Sequence, residues 1–75
     1  NIRVNALSAA PARTLASSAI RDFHTMVHEV EERSPLRRAM KPEEVGKMAA
    51  VMLSDLSSGV TGQTVYVDVG YNIMA

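Results

Sequence analysis

The stretch N-I-R-V-N-A-L-S-A-A-P-A-R-T-L-A, from Asn1 to Ala16, decides the fold. Apolar and polar residues alternate from Ile2 to Ala6, and Leu7 adds apolar character to the second face, so the segment is predicted to be a buried strand. The cluster from Ser8 to Pro11 predicts a turn, because proline cannot donate to a strand ladder. In an α/β protein, a ligand binds just beyond the carboxyl end of such a strand.

A first helix is predicted to follow this turn. It begins at Ser17 or Ser18, since serine is a favourable N-cap residue. Four apolar residues then recur at three- and four-residue spacings, which places them on one helix face: Ile20, Phe23, Val27 and Val30. The pair Ser34-Pro35 is predicted to end the helix.

A second helix and a second strand complete the pattern. Pro42-Glu43-Glu44 predicts the helix start, because proline fits the first turn and carboxylates favour the positive end of the helix dipole. An apolar stripe follows: Val45, Met48, Ala49, Met52 and Leu53. Gly46, inside the helix, is expected to admit a closely packed neighbour. A loop from Ser54 to Gly62 then leads to a β-branched strand over Thr64–Val69.

The order strand, helix, helix, strand predicts an α/β fold with two parallel strands in one sheet. Two helices cannot cover both faces of such a sheet, and the second helix carries a wide apolar stripe. Residues 1–75 are therefore expected to be a fragment of a single larger α/β domain, incomplete alone.

Composition narrows the functional classes. The 75 residues carry eight basic and eight acidic side chains and no cysteine, and 47% are hydrophobic. Zero net charge argues against nucleic acid or anionic membrane as partners. The apolar runs are far shorter than the roughly 20 residues of a membrane span. The expectation is a soluble protein of the cytoplasm, or of the plastid stroma in a plastid-bearing organism.

Two charged clusters each have a functional and an ordinary interpretation. His24 and His28 share a helix face and could begin a metal site, but without thiolates or an H-E-x-x-H pattern a solvated face is favoured, and no metal ligand is predicted. The basic residues Arg37, Arg38 and Lys41 could contact a phosphate or an acidic carrier protein. Ordinary solvated charge is the favoured interpretation of these three as well.

Several motifs together resemble a known family. They are I-R-V-N at 2–5, S-A-A-P at 8–11, R-T-L-A at 13–16, P-E-E-V-G at 42–46 and T-G-Q-T-V-Y-V-D at 61–68. The chain resembles the C-terminal part of a short-chain dehydrogenase/reductase, and more narrowly that of the NADH-dependent enoyl-acyl carrier protein reductases. Ser8, Ala9 and Pro11 carry the narrower resemblance, because other short-chain reductases usually have Pro-Gly soon after this strand.

The resemblance implies the C-terminal part of a Rossmann-like, doubly wound parallel sheet. It also implies hydride transfer from NADH to a trans-2-enoyl thioester on acyl carrier protein, although the sequence leaves NADH against NADPH open. The implied cofactor-binding residues are Ala10, Pro11, Ala12, Arg13, Thr14, Leu15 and Ala16. The implied substrate-binding residues, on a lid helix, are Ile20, Phe23 and Met26. The family's catalytic tyrosine and lysine are not in this chain, so no catalytic residue is assigned.

The resemblance also implies that the last strand helps to build a homotetramer. Three residues depart from the family pattern: Ala10 replaces a glycine, Ala12 a larger aliphatic residue, and Val69 a small or polar one. Two alternatives stay open: another short-chain NAD(P)H-dependent reductase acting on a ketone or alcohol, and a small binding or scaffold protein without catalysis.

Overall fold

The computed structural model describes residues 1–12 and 22–74. The main elements are β1 (Ala6–Ala9), α1 (Phe23–Arg33), α2 (Pro42–Met52) and β2 (Thr64–Val67). Short 3-10 turns cover Asp55–Ser57 and Tyr71–Ile73. β1 and β2 pair in parallel, with Ala6 opposite Thr64 and Ala9 opposite Val67. The predicted element order and the parallel pair are confirmed.

The strand bounds differ from the prediction. β1 begins at Ala6 instead of Ile2, and it includes Ser8 and Ala9, which the sequence assigned to a turn. Backbone contact continues before Ala6, since the Gly62 N–H donates to the Val4 carbonyl at 2.8 Å, but the regular ladder begins with the pair Ala6 and Thr64. β2 ends at Val67 instead of Val69, where the backbone turns into the left-handed region at φ 53°.

Helix α1 begins later than predicted and ends where predicted. Asp22 has φ 65°, outside the right-handed helical region, and the helix starts at Phe23. A continuous helix from Ser17 or Ser18 is therefore wrong, and residues 17–21 lie outside the described residues. At the other end, the Ser34 backbone is extended, as expected before proline, and its N–H closes the last turn on the Val30 carbonyl at 3.0 Å.

Helix α2 has the predicted start at Pro42. The Glu44 carboxylate accepts a hydrogen bond from the Lys41 backbone N–H at 2.8 Å and two more from the Arg38 guanidinium, both at 2.8 Å. The bidentate contact with Arg38 is the main reason that the pKa of Glu44 falls to about 2. The expected close neighbour at Gly46 is wrong for the described residues, since a Cβ built there meets no atom within 4 Å.

The core is small and lies between the helices and one face of the sheet. Val30, Met40 and Val69 form its buried centre. Around it pack Ala10, Ala12, Val45, Val67 and Tyr71. On β2, Val65 and Val67 are half-buried while Thr64 and Tyr66 are exposed, so only one face of the sheet is covered by the described residues. Several large apolar side chains stay open, including Ile2, Val4, Leu53 and Leu56.

Candidate functional site at the carboxyl edge of the strands

The carboxyl ends of both strands meet at one edge of the sheet. The Ala10 N–H donates to the Val67 carbonyl at 3.3 Å, so the segment just beyond β1 stays hydrogen-bonded to β2. Ala10 and Ala12 then pack against the buried centre of the core, and Pro11 between them is half-buried. The first three predicted cofactor-binding residues therefore lie immediately past a parallel strand, where α/β proteins bind ligands.

Backbone strain does not arise at Ala10. Among the described residues other than glycine, positive φ angles occur at Asp22, Arg37 and Val69 only. The glycine that the family has at this position is therefore not required by the backbone here. The other four predicted cofactor-binding residues, Arg13, Thr14, Leu15 and Ala16, lie outside the described residues.

The predicted substrate-binding residues fall on α1. Phe23 is half-buried and Met26 is 46% exposed, whereas Val27 and Val30 are fully buried. Val27 and Val30 thus attach the helix to the core, and Met26 offers apolar surface outside it. Ile20, the third predicted residue, lies outside the described residues.

The segment after β2 forms a sharp turn at the same edge. The buried Asp68 carboxylate accepts from the Gly70 N–H at 3.1 Å and from the Asn72 N–H at 2.8 Å. Val69 and Gly70 both have positive φ, 53° and 87°. A β-branched residue in this region is strained by about 1–3 kcal/mol. Asp68 therefore acts as a turn residue that holds the strained Val69 and the glycine after it in place.

Tyr71 extends from this turn to α1. It packs against the buried centre of the core, which includes Val30 of α1. Burial, followed by the influence of Glu29, raises the pKa of Tyr71 above its ordinary value. No sequence motif indicated that Tyr71, three residues after Asp68, would pack against the core.

The amino end of β1 carries a second polar arrangement that the motif analysis missed. Arg3 Nη1 donates to the Ser57 carbonyl at 2.8 Å, the Val60 carbonyl at 3.0 Å and the Ser57 hydroxyl at 3.1 Å. Arg3 Nη2 donates to the carbonyls of Met52 at 3.1 Å and Ser54 at 3.3 Å. One guanidinium therefore ties the strand to the end of α2 and to the following loop.

Asn5, two residues later, also hydrogen-bonds to the loop between α2 and β2. Its Nδ2 donates to the Val60 carbonyl at 3.0 Å, and its Oδ1 accepts from the Gln63 N–H at 3.0 Å. Arg3 and Asn5, the polar residues of I-R-V-N, thus hold the loop that precedes β2. A concavity at this end of the sheet is lined by Asn1, Ile2, Arg3, Ser58 and Thr61, at the opposite end of β1 from Ala10.

The charged clusters take part in ordinary pairing. His28 Nε2 lies 3.1 Å from Glu32 Oε1, with both side chains well exposed. Arg37 donates to the Glu32 carbonyl at 2.8 Å, and Arg38 is held by Glu44. Within residues 1–12 and 22–74, no three histidine, cysteine or acidic side chains come together as a metal site. In the same residues, no helix has the length and apolarity needed to cross a membrane.

Comparison with known proteins gives one consistent family. A family model described as enoyl-(acyl carrier protein) reductase matches residues 1–72. An enoyl-acyl carrier protein reductase of Synechocystis sp., named for NADH, is 60% identical over 74 residues, which are 99% of this chain and 29% of that protein. A Staphylococcus aureus relative, named for NADPH, is 56% identical over 72 residues, which are 96% of this chain and 28% of that protein.

A solved structure agrees with these relatives. The crystal structure of the Bacillus cereus enoyl-acyl carrier protein reductase with NADP+ and indole naphthyridinone has a TM-score of 0.88 and 51% identity to this chain. The match covers 97% of this chain and 28% of that one. The predicted Rossmann-like α/β fold is confirmed, and the chain spans less than a third of the length of the relatives it matches.

Proposed function

The chain belongs to the enoyl-acyl carrier protein reductase family, and we therefore propose that the protein containing it reduces the double bond of a trans-2-enoyl thioester in fatty acid elongation. The observation that carries the proposal is the 60% identity over 99% of the chain. The structure adds support, because both strand ends and the turn after β2 lie at the edge where α/β proteins bind ligands.

In this proposal, Ala10 to Ala16 bind the nicotinamide cofactor. Ala10 and Ala12 are half-buried against the core at the carboxyl edge, and such small side chains leave room for the close approach of a flat ring. Pro11 has no N–H and a fixed φ, which gives the loop a rigid start. Thr14 would donate its hydroxyl to a cofactor phosphate. When bound, the cofactor supplies the hydride, while these residues orient it and exclude water.

We propose NADH as the cofactor. The Synechocystis relative, at 60% identity, is named for NADH, whereas the S. aureus relative, at 56%, is named for NADPH. The ratio of kcat/KM for the two cofactors on the intact protein tests this choice. A ratio that favours NADPH would contradict it.

The acyl chain would contact the apolar side chains of α1. Met26 is 46% exposed although it is apolar, and methionine adapts its shape to varied apolar ligands. Phe23 lies one turn earlier and is half-buried, so it could contact the same chain. Ile20 is proposed as the third contact, from the family resemblance. The acyl chain would be attached to the carrier protein as a thioester, and the carrier protein itself would lie outside this apolar region.

We also propose that the protein is a homotetramer of the cytoplasm in which β2 contributes to a subunit interface. Thr64 and Tyr66 face outward on β2, and Tyr66 is 52% exposed, which leaves side-chain surface for a second subunit. Sedimentation of the intact protein tests the oligomer, and a monomer would contradict it. The zero formal net charge is consistent with a protein that is not held to an anionic surface.

The decisive experiment assays the intact protein with crotonyl and acetoacetyl thioesters, following oxidation of NADH and of NADPH. Turnover of the crotonyl thioester is the expected result. Turnover of the acetoacetyl thioester alone would favour a short-chain reductase acting on ketones. Turnover of neither would favour a binding or scaffold protein. The isolated 75 residues should be inactive, because the family's catalytic tyrosine and lysine lie outside them.

Thr14→Val in the intact protein tests the cofactor loop. Loss of the hydroxyl donor proposed for a cofactor phosphate should raise the apparent KM for NADH by about fivefold or more, since an unpaired acceptor costs about 1–3 kcal/mol. Thr25→Val is the matched control, because Thr25 is exposed on α1 and is not among the proposed contacts. An unchanged KM in Thr14→Val would remove Thr14 from the cofactor-binding residues.

A further inference from the structure

The turn after β2 adjoins the start of the proposed cofactor loop, the segment from Ala10 to Ala16. The Ala10 N–H donates to the Val67 carbonyl at 3.3 Å, so the loop begins hydrogen-bonded to the last residue of β2. Ala10 and Ala12 then pack against the buried centre of the core, to which the turn contributes Val69. The placement of the first loop residues therefore depends on where the turn holds Val69.

Val69 reaches the buried centre through an unfavourable backbone conformation. Its φ of 53° lies in the left-handed region, where a β-branched residue is strained, and yet the residue is only 8% exposed. Its carbonyl accepts from the Leu36 N–H at 3.3 Å, which joins the turn to the segment after α1. Strained backbone persists only where surrounding contacts over-determine it, and it occurs preferentially at functional sites. Contacts from outside Val69 must therefore hold this conformation.

Asp68 supplies such contacts. Its Oδ1 accepts from the Gly70 N–H at 3.1 Å, and its Oδ2 accepts from the Asn72 N–H at 2.8 Å. Its backbone carbonyl also accepts from the Tyr71 N–H at 3.0 Å, so three hydrogen bonds close the turn around Val69. Asp68 is buried, and a buried carboxylate is costly unless its oxygens are hydrogen-bonded. Both oxygens are satisfied by the turn that they hold.

We propose that Asp68 is a positioning residue for the nicotinamide cofactor: by holding Val69 in the buried centre, it fixes the surface on which Ala10 and Ala12 pack, and thereby the start of the cofactor loop. This inference rests on the proposed enoyl reductase function and on the proposed role of the loop. Asp68 acts through Val69, since both of its carboxylate oxygens are bonded to backbone N–H groups.

Asp68→Asn is the variant that tests this role most directly. Asparagine has nearly the same shape as aspartate, but its side chain has one acceptor oxygen, so one buried backbone N–H is left unpaired. This loss is comparable in size with the strain at Val69, and turns in which Val69 has relaxed become populated. Only molecules that keep the turn in place bind the cofactor with full affinity, so the apparent Kd rises by the inverse of their fraction.

The first measurement is a titration of the intact protein with NADH, followed by the fluorescence of the reduced nicotinamide, with no thioester present. For Asp68→Asn, we expect the Kd for NADH to rise about fivefold or more, as when about one fifth of the molecules or fewer keep the turn in place. With a crotonyl thioester and saturating NADH, kcat should stay within about twofold of the parent value, because saturating cofactor selects those molecules.

Val69→Ala tests the same contact and leaves the buried carboxylate unchanged. It removes most of the side chain that the turn adds to the buried centre, so the Kd for NADH should rise here too. The double variant Asp68→Asn/Val69→Ala should raise the Kd no further than the larger of the two single changes, because both act through one contact.

Two controls separate positioning from general effects of charge and stability. Asp55→Asn makes the same substitution at an exposed residue after α2 and should leave the Kd for NADH unchanged. Arg3→Ala removes hydrogen bonds to Ser57 and Val60 at the opposite end of β1. It should lower the melting temperature and leave the Kd for NADH within about twofold of the parent value.

Two outcomes would overturn the proposal. An unchanged Kd for NADH in either Asp68→Asn or Val69→Ala would mean that the turn does not position the cofactor loop. An equal rise of the Kd in Arg3→Ala would mean that cofactor affinity follows stability in general. Failure of the proposed function is a different result, since the parent protein would then turn over no crotonyl thioester with either NADH or NADPH.

Discussion

Replacing Arg3 should lower the free energy of unfolding substantially, although Arg3 precedes β1 and belongs to no helix or strand. Its guanidinium makes five hydrogen bonds of 3.3 Å or less, to carbonyls and one hydroxyl at the end of α2 and in the next loop. The carbonyl acceptors at the end of a helix have no partner within the helix. Arg3 therefore caps α2 from a different segment of the chain.

The size of the effect follows from the two shortest contacts. A hydrogen bond with a charged partner contributes about 1.5–3 kcal/mol. The carbonyls of Ser57 and Val60, at 2.8 and 3.0 Å, lie in the part of the loop where Ser57 is only 5% exposed. Taking both at the lower end of the range, with water replacing the remaining contacts, Arg3→Ala should lose about 3 kcal/mol. In a domain of 150–250 residues this corresponds to a fall of about 6–12 °C in Tm.

The assay is urea denaturation of the intact protein at a fixed subunit concentration. Arg3→Lys should recover about half of the loss, because one ammonium group cannot span both sets of acceptors. Lys47→Ala is the matched control: it removes the same charge from an exposed position on α2 and should change stability by less than about 0.5 kcal/mol. Hydrogen exchange should be faster at the Val60 amide, which bonds to the Ser57 carbonyl.

Two results would refute this account of Arg3. A loss below about 1 kcal/mol in Arg3→Ala would show that water replaces all five contacts equally well. Full recovery in Arg3→Lys would show that charge alone matters, and that the forked geometry of the guanidinium does not.

Three further predictions use the same measurement. The contact with Arg38 lowers the pKa of Glu44 from 4.5 to about 2. The ionised carboxylate should therefore contribute fully to stability above about pH 5, and this contribution should disappear as the pH falls through 2. The difference in free energy of unfolding between the parent protein and Glu44→Gln should shrink over the same pH range. Gly70→Ala should destabilise by about 2 kcal/mol or more, because φ is +87° and the new Cβ would meet Pro35. Gly46→Ala should stabilise by about 0.5–1 kcal/mol, since it lies in an exposed helix with open space around it; a loss would reveal a neighbour from the rest of the protein.

Much of the fold could be predicted because local signals and tertiary structure agree. Pro42 and the carboxylates that follow it predict the start of α2 correctly, and Ser34-Pro35 predicts the end of α1. These residues affect the backbone within one helical turn of their own position, so the helix boundaries can be predicted without knowledge of any distant contact.

The remaining bounds depend on partners far along the chain. β1 begins at Ala6, opposite Thr64 of β2, and no property of Ile2 to Asn5 reveals that partner. The prediction of close packing at Gly46 is wrong for the described residues, because a glycine alone does not distinguish a close neighbour from an open position. The helix start at Phe23 depends on the φ of 65° at Asp22, which no capping rule predicts.

The candidate site divides in the same way. The place of Ala10 to Ala12 followed from the rule that ligands bind at strand carboxyl ends, which needs only the order of the elements. The packing of Tyr71 against the core, by contrast, depends on a turn with two positive φ angles. Such a turn has no clear sequence signal when one of its residues is valine.

The pairing of β1 with β2 has a consequence for the order of folding. Arg3 and Val60 touch although they are 57 positions apart, and both helices lie between the paired strands. Closing so long a loop costs entropy before the strand ladder can repay it. Helix α2 carries its own start signals and can form locally, so we expect it to be present in the transition state. The guanidinium of Arg3 can bond to its five acceptors only after α2 and the loop that follows it have formed. Replacement of Arg3 should therefore accelerate unfolding and leave the folding rate almost unchanged.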